Sequence, residues 1–286
     1  MFNALSEKEA VLPRFIVEET MLQHLEKNDA RVTFIHNQLE KINSELAKIN
    51  KSLAVFYGNP LEIYEKLITE NTISSVYTNH DYEPYARKRD LALYELFKKH
   101  KIIFKTCKDQ VIFEKSEITK DDGLPYVVYT PYSNKWKAKL KEITLIKYPS
   151  ETKLDKIISH SYPFLSLNEI GFEKTTIELP EYNISEKLVS EYETTRNFPA
   201  LKNGTSLIGI HLRFGTISIR KLVQYAAKFK NETFLKELIW REFFMQILWH
   251  FPHTKTQSFK PKYDEIKWVN NEILFKKWCD GKTGYP

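Results

Sequence analysis

The chain has 286 residues, of which 42% are hydrophobic and 28% charged, and its net charge is +6; this is typical of a globular protein with one large domain or two ordinary ones. No apolar run reaches the ~20 residues that span a bilayer, and the N-terminus lacks the basic and apolar regions of a secretory signal, so we expect a cytoplasmic protein without membrane association. Two distant cysteines, Cys107 and Cys279, predict free thiols and argue against a metal site.

The first part of the chain alternates short β-type runs with helical ones. Runs of β-branched and aromatic residues predict strands at 11–17, 53–58, 75–79 and 102–107. Apolar residues at three- and four-residue spacing predict helices at 30–50, 60–71 and 86–100. This alternation predicts an α/β Rossmann-like domain over residues 1–120, with a parallel sheet wrapped by helices. Ligands of such sheets bind at the carboxyl ends of strands, where residues 78–90 would lie.

The second part of the chain has a different pattern. Residues 121–185 are rich in Pro, Ser, Thr and Asn with weak periodicity, which predicts a long connection between domains. Residues 186–286 predict an all-α domain. Its helical faces lie at 186–195, 206–213, 218–229 and 233–250.

One predicted helix carries charges among large apolar residues. In "FLKELIWREFFMQILWHFP" the side chains of Glu237, Trp240, Arg241 and Phe244 share a face at three- and four-residue spacing. Burying charges in so apolar a segment is costly unless they pair or face a cavity. Two interpretations stay open: a structural ion pair, or a cavity wall whose acid, aromatic platform and cation would suit a base-like ligand.

A second motif contains Gly204-Thr205-Ser206, where we expect a helix to begin. Free N–H groups at such a start can bind phosphate, although Ser and Thr also cap most helices, so both interpretations stand. The net charge is likewise compatible with a polyanionic partner or with an ordinary lysine-rich surface.

The order of these motifs resembles the DNA photolyase/cryptochrome family of flavin-dependent blue-light proteins. The resemblance rests on "YETTRNFPALKNGTSLIGIHLRFGTISIR", "FLKELIWREFF" and "FKKWCDGKTGYP". "VLPRFIVEETML", "VYTNHDYEPYARKRD" and "YTPYSNKW" are similar to the family's N-terminal antenna domain. The resemblance implies an antenna domain at 1–120, followed at 186–286 by part of an all-α FAD-binding domain that holds FAD in a U-shaped conformation.

The resemblance also implies roles for individual residues. Glu237 corresponds to the acid that hydrogen-bonds a flipped-out pyrimidine dimer, and Trp240 to the aromatic wall beside it. Trp268 corresponds to the surface end of the tryptophan chain that reduces the flavin, and Trp278 lies near that route. The cofactor-binding residues implied are Tyr192, Thr205, Ser206, Leu207, Ile208, Gly209 and Arg241. At Gly209 the family often has Ser, so a hydroxyl contact is lost while the backbone N–H remains.

Subfamily residues favour a class I cyclobutane pyrimidine dimer photolyase. Animal cryptochromes and (6-4) photolyases usually have Gln at 237, plant cryptochromes lack Trp at 240, and DASH-type proteins tend to read Asp-Tyr-Phe at 242–244. The implied activity is a carbon–carbon lyase reaction, in which photoexcited reduced FAD donates an electron that splits the dimer. UV-damaged DNA is the implied partner, its phosphates held by Lys and Arg. A monomer without a protein partner is expected.

Three matters stay open. Folate-binding members often carry Asn-Glu where this chain has Tyr85-Ala86, which argues against a folate antenna and leaves a deazaflavin, a second flavin or none. The family begins with a central strand that this chain lacks, and it continues for over a hundred residues beyond "GKTGYP", so the chain is expected to be truncated at both ends. The alternatives to a repair enzyme are a cryptochrome-like light receptor and an inactive photolyase remnant.

Overall fold

Residues 1–284 are described by a computed structural model of the chain. The first part contains four strands, which match the predicted strands closely. They are β1 (Arg14–Glu18), β2 (Ala54–Gly58), β3 (Ser75–Asn79) and β4 (Ile103–Cys107). The first begins three residues later than expected, because Pro13 has no N–H to donate to a ladder and Val11 forms an isolated bridge with Ile157.

Helices cover and connect these strands. They are α1 (Phe2–Leu5), α2 (Glu19–Leu22), α3 (Ala30–Ala47), α4 (Pro60–Glu70) and α5 (Pro84–Lys99). Asp29 and Asn59 cap α3 and α4 by accepting hydrogen bonds from the N–H groups of Arg31 and Leu61, which satisfies donors that a helix start leaves free. Strand–helix alternation confirms the predicted α/β architecture.

The strands form two parallel ladders rather than one sheet. β1 pairs with β2, and β3 pairs with β4; within residues 1–284 no ladder joins β1 to β3. The ladders still share one layer, because Ile16 of β1 packs in the cluster that contains Val76 of β3 and Arg89 of α5 pairs with Glu18 at the end of β1. The layer is therefore divided between β1 and β3, the place for which the family resemblance implies a central strand.

The second part is helical, as predicted. Its helices are α6 (Tyr129–Glu142), α7 (Glu186–Thr195), α8 (Gly209–Arg213), α9 (Ile219–Ala226), α10 (Thr233–His250) and α11 (Glu272–Cys279). Short 3₁₀ segments occur at Ser150–Lys156, Asn168–Ile170, Pro252–Lys255 and Pro261–Tyr263. α7 and α10 have the predicted bounds. None of the helices within residues 1–284 combines the length and apolarity required to cross a membrane.

Helix α6 lies within residues 121–185, for which the sequence predicts a connection between the two domains. It buries Tyr132 and Trp136 in the largest core cluster, together with residues of α9 and α10. These two side chains are four residues apart and so share a face, but the lysines between and after them obscure the periodicity. The segment 121–185 is thus in part a structural element of the helical region.

Candidate functional site

Helix α10 positions the predicted acid, aromatic and cation, and Glu242 anchors it. The Glu242 carboxylate accepts hydrogen bonds from the N–H groups of Ile112 at 2.7 Å and Phe113 at 2.9 Å and from Trp136 Nε1 at 2.6 Å. Burial raises the pKa of Glu242 to about 7, and these three hydrogen bonds oppose the rise. The Tyr132 hydroxyl also donates to this carboxylate, at 3.4 Å. A fully buried carboxylate with four donors fixes α10 against residues 112–113 and α6.

The same side of α10 contacts the backbone of 110–115 along its length. Arg241 donates to the carbonyl oxygen of Gln110 at 2.7 Å, and Gln246 donates to that of Phe113 at 3.0 Å. His250 Nε2 lies 3.2 Å from the carbonyl oxygen of Lys115. The helix thereby joins the α/β part to the helical part through side chain to backbone hydrogen bonds.

The charged residues of α10 do not pair with each other. Glu237 forms an ion pair with Arg196, which follows α7. Arg241 is partly buried, lies within 4 Å of no carboxylate of residues 1–284, and donates to the carbonyl oxygens of Gln110 and Leu212. Burial lowers the pKa of Arg241, yet a guanidinium stays charged at neutral pH. The interpretation of the stripe as a Glu237–Arg241 ion pair is therefore wrong.

Trp240 lies in an aromatic stack at the surface. Its ring stacks on Tyr129, with centroids 3.6 Å apart and planes 5° from parallel, and on Phe244 at 5.5 Å and 24°. The Tyr129 hydroxyl donates to the carbonyl oxygen of Lys236 at 3.0 Å, which holds its ring against α10. Phe244 is 61% exposed. The stack presents a flat aromatic surface next to the Arg196–Glu237 ion pair.

The predicted phosphate-binding residues form a loop rather than a helix start. α8 begins at Gly209 and not at Gly204-Thr205-Ser206, and it has only five residues. Ser206 is buried and Leu207 has a left-handed backbone with φ 52°. Tyr192 packs edge-on against Phe234 at 5.1 Å. A Cβ built on Gly209 meets nothing within 4 Å, so the position accommodates a Ser as well as Gly.

A cleft of about 310 Å³ lies between α8, α10 and residues 81–83. Its walls include Gly209, Arg213, Arg241 and Tyr82, which lies near the end of β3. Two carboxylates, Asp81 and Glu83, also line the cleft, and Arg213 lies 3.8 Å from Glu83. The formal charges of the lining therefore cancel, and Arg241 is its guanidinium without a carboxylate within 4 Å among residues 1–284. A larger groove of about 1170 Å³ runs along α3 and contains none of the predicted site residues. Of those residues, Gly209 and Arg241 line the smaller cleft, so we assign the candidate site to this cleft together with the face of α10 that carries Glu237 and Trp240.

Two predicted residues lie apart from this group. Trp268 and Trp278 are 70% and 69% exposed, and α11 has no buried residue. They contact neither Trp240 nor the cleft. The motif that contains Trp278 ends in Tyr285 and Pro286, which lie outside the described residues. Within the described part of the chain, no group of His, Cys, Asp and Glu side chains is arranged to hold a metal ion.

At the end of β1, the Tyr85 hydroxyl donates to Glu18 at 2.9 Å, and Glu18 also accepts from Arg89. Tyr85 thereby joins the start of α5 to the end of β1. The antenna alternatives drawn from Tyr85-Ala86 remain predictions.

Helical spacing did not identify Arg196, Tyr129 or Glu242 as site residues. Arg196 and Tyr129 lie inside the quoted motifs. Helical spacing, however, carries no information on the contact of Arg196 with Glu237, 41 residues away, or of Tyr129 with Trp240, 111 residues away. For Glu242 the sequence did contain a signal: a carboxylate between apolar residues on a predicted core helix must find hydrogen-bond donors.

Comparisons with known proteins cover both parts of the chain. The family model "DNA photolyase" matches residues 1–152, and "FAD binding domain of DNA photolyase" matches residues 234–286. A Synechococcus protein named deoxyribodipyrimidine photo-lyase is 27% identical and is aligned over 95% of this chain and 62% of its own length. The chain thus spans about six tenths of that curated relative.

Two solved structures have the same fold. A class III photolyase from Agrobacterium tumefaciens superposes with a TM-score of 0.75 at 26% identity, over 99% of this chain and 62% of that one. An archaeal photolyase from Sulfolobus tokodaii with two FAD molecules superposes with a TM-score of 0.72 at 25% identity, over 99% of this chain and 63% of that one. Both similarities extend over the α/β and the helical parts.

Proposed function

Because the chain belongs to the DNA photolyase family, we propose that it repairs cyclobutane pyrimidine dimers in UV-damaged DNA, with reduced FAD as the light-activated electron donor. The face of α10 carries the proposal: the carboxylate of Glu237 and the aromatic stack of Trp240 lie side by side at the surface. The relative from Synechococcus is named for this activity. The class I assignment rests on Glu237, Trp240 and the sequence at 242–244.

Arg241 and the Gly209 backbone are the groups of the cleft that can hold the anionic part of FAD. Asp81 and Glu83 also line the cleft, and Arg213 lies 3.8 Å from Glu83. Arg241 is a partly buried cation without a carboxylate partner among residues 1–284, and it shares the cleft with the Gly209 backbone. These groups, with the 205–209 loop, would hold the phosphates of the cofactor. FAD, when bound, supplies the electron that light transfers to the dimer. The two flavins of the Sulfolobus tokodaii structure support a second flavin as the antenna.

The chain's own residues would bind and orient the lesion. The Glu237 carboxylate can accept hydrogen bonds from the ring N–H groups of a flipped-out dimer, while Arg196 can donate to its carbonyl oxygens. The stack of Trp240 on Tyr129 offers a rigid flat platform, and base stacking on an aromatic contributes about 1–3 kcal/mol. Binding the lesion therefore exchanges the Arg196–Glu237 ion pair for contacts to the dimer.

Retention of both Glu237 and Trp240 favours repair over blue-light reception without repair. A receptor that signals through a protein partner has no need for a carboxylate and an aromatic platform arranged for a dimer.

The test begins with the visible absorption spectrum of the purified chain, with any released chromophore identified after denaturation. We expect FAD, and light-dependent repair of an oligonucleotide that carries a thymine dimer. Glu237→Ala should lower the repair rate at least tenfold, because it removes the acceptor for the dimer. Glu62→Ala, an exposed carboxylate on α4, is the matched control. A colourless chain without repair in light would contradict the proposal.

A further inference from the structure

The lysines of α6 form two pairs with different surroundings. Lys135 and Lys139 contact residues 117–121, where a carboxylate and a carbonyl oxygen accept their hydrogen bonds at 3.2 and 2.7 Å. Lys137 and Lys141 also stand four residues apart, so they share a different side of the helix. That side faces the start of α10, and its lysines are therefore not needed to hold residues 117–121.

Lys137 and Lys141 meet a third lysine, Lys236 of α10, around one carboxylate. Lys137 Nζ lies 2.9 Å from Glu232 Oε2, while Lys141 and Lys236 have no carboxylate within 4 Å among residues 1–284. The hydrogen bond from Lys137 lowers the pKa of Glu232, and the charges of Lys236 and Lys141 lower it further. Three positive charges thus surround one negative charge, which leaves an excess of positive charge. We call Lys137, Lys141 and Lys236 the lysine cluster.

The lysine cluster adjoins the aromatic stack of the candidate site. Tyr129 begins α6, twelve residues before Lys141, and its hydroxyl donates to the carbonyl oxygen of Lys236 at 3.0 Å. The one carboxylate of α6 itself, Glu142, ends the helix beyond Lys141. Twelve residues of helix span about 18 Å. Since one strand of DNA rises about 3.4 Å per nucleotide, the distance from the stack to Lys141 is that of about five nucleotides.

We propose that the lysine cluster binds the DNA phosphate backbone beside the lesion and so extends the lesion-binding surface along α6. The inference rests on the proposed function, because it takes the stack of Tyr129 and Trp240 as the place of the lesion. Lysine binds phosphate as a point charge and reads no sequence. The ion pair of Lys137 with Glu232 is partly exposed and therefore weak enough to open for a phosphate. The excess positive charge matches a polyanion, and continuity with the aromatic stack selects DNA over an acidic protein.

The salt dependence of DNA binding tests the proposal. Fluorescence anisotropy measures the affinity of the chain for a duplex with one thymine dimer and for the same duplex without it. In a chain that combines Lys137→Gln and Lys141→Gln, the slope of log affinity against log salt concentration should fall by about 2, since each phosphate contact contributes about 0.9. The affinity at about 0.1 M salt should fall at least about fivefold. Both duplexes should lose affinity by the same factor, because phosphate contacts do not distinguish the lesion.

A second pair of substitutions on the same helix is the matched control. Lys135→Gln with Lys139→Gln removes the same charge from the side that contacts residues 117–121, and it should change the slope by less than about 0.5. Far-UV circular dichroism checks that both double variants remain folded. Glu232→Gln should act in the opposite direction and raise the affinity about two- to fivefold, because it frees Lys137 for a phosphate.

Three results would overturn the proposal. They are a wild-type chain that binds neither duplex at about 50 mM salt, an unchanged slope when Lys137 and Lys141 are replaced, and an equal loss of slope in the control pair. Failure of the proposed function gives a different result. The wild-type chain would then bind the two duplexes with equal affinity, while the two pairs of lysine substitutions would still differ in slope on the undamaged duplex.

Discussion

Replacing Glu242 by Ala probes the anchor of α10. The variant removes the acceptor of four buried donors: the N–H groups of Ile112 and Phe113, Trp136 Nε1 and the Tyr132 hydroxyl. A buried donor left without an acceptor costs about 1–3 kcal/mol. At pH 8 the carboxylate is ionised, and a buried negative charge is itself costly. Removing that charge therefore offsets part of the cost of the unsatisfied donors. We therefore expect Glu242→Ala to lower the free energy of unfolding by about 2–5 kcal/mol at pH 8.

The destabilisation caused by Glu242→Ala should grow as the pH falls. The folded pKa of Glu242 is about 7 and its ordinary value is 4.5, so between these values the folded state binds a proton that the unfolded state does not. The part of Glu242's contribution to stability that comes from this bound proton is therefore largest below pH 4.5 and is lost as the pH rises through 7. One pKa unit corresponds to about 1.4 kcal/mol, so the destabilisation by Glu242→Ala should be roughly 2–3 kcal/mol larger at pH 5 than at pH 8.

Urea unfolding followed by circular dichroism at both pH values measures this difference. Glu237→Ala is the control on the same helix: its carboxylate is 40% exposed, and an exposed ion pair contributes about 1 kcal/mol or less. The reasoning fails if Glu242→Ala unfolds within about 0.5 kcal/mol of wild type, or if its destabilisation is the same at pH 5 and pH 8.

Two further predictions follow from the contacts around the site. Tyr129→Ala should weaken binding of a dimer-containing duplex about 3- to 10-fold in a fluorescence-anisotropy titration, because the stack that orients Trp240 contributes about 0.5–1.5 kcal/mol; unchanged affinity would exclude that role. Gly204→Ala should lower the free energy of unfolding by about 1–3 kcal/mol, since its Cβ would lie 3.1 Å from Leu201. Gly209→Ala meets open space and should change urea stability by less than about 0.5 kcal/mol; an equal loss in both variants would refute the argument.

The sequence predicted the elements of the fold well because their signals are local. Alternating and helical spacing located β2 and β3 within a residue, and α10 with its observed bounds. The core role of α6 escaped the same reasoning. Trp136 and Tyr132 are a two-residue apolar face among lysines, and only their contact with α10 shows that they are buried.

The sequence predicted candidate residues for the site, but it did not predict which residues they contact. Helical spacing places Glu237 and Arg241 on one side of α10, and it cannot show that each has another partner. Arg196 pairs with Glu237 from 41 residues away, and Gln110 accepts from Arg241 across 131. Such long-range pairing depends on how α7 and the 110–115 segment pack, which no periodicity encodes.

The attachment of α10 to residues 110–115 affects how the chain unfolds. In many two-part proteins the parts meet through a few surface contacts and melt one after the other. Here Glu242, Arg241 and Gln246 hold the backbone of a segment that continues directly from β4. Opening the α/β part would pull these buried bonds out of the helical core. The amide hydrogens of Ile112 and Phe113 should therefore exchange with solvent only through the global transition, and heating should produce one cooperative transition rather than two.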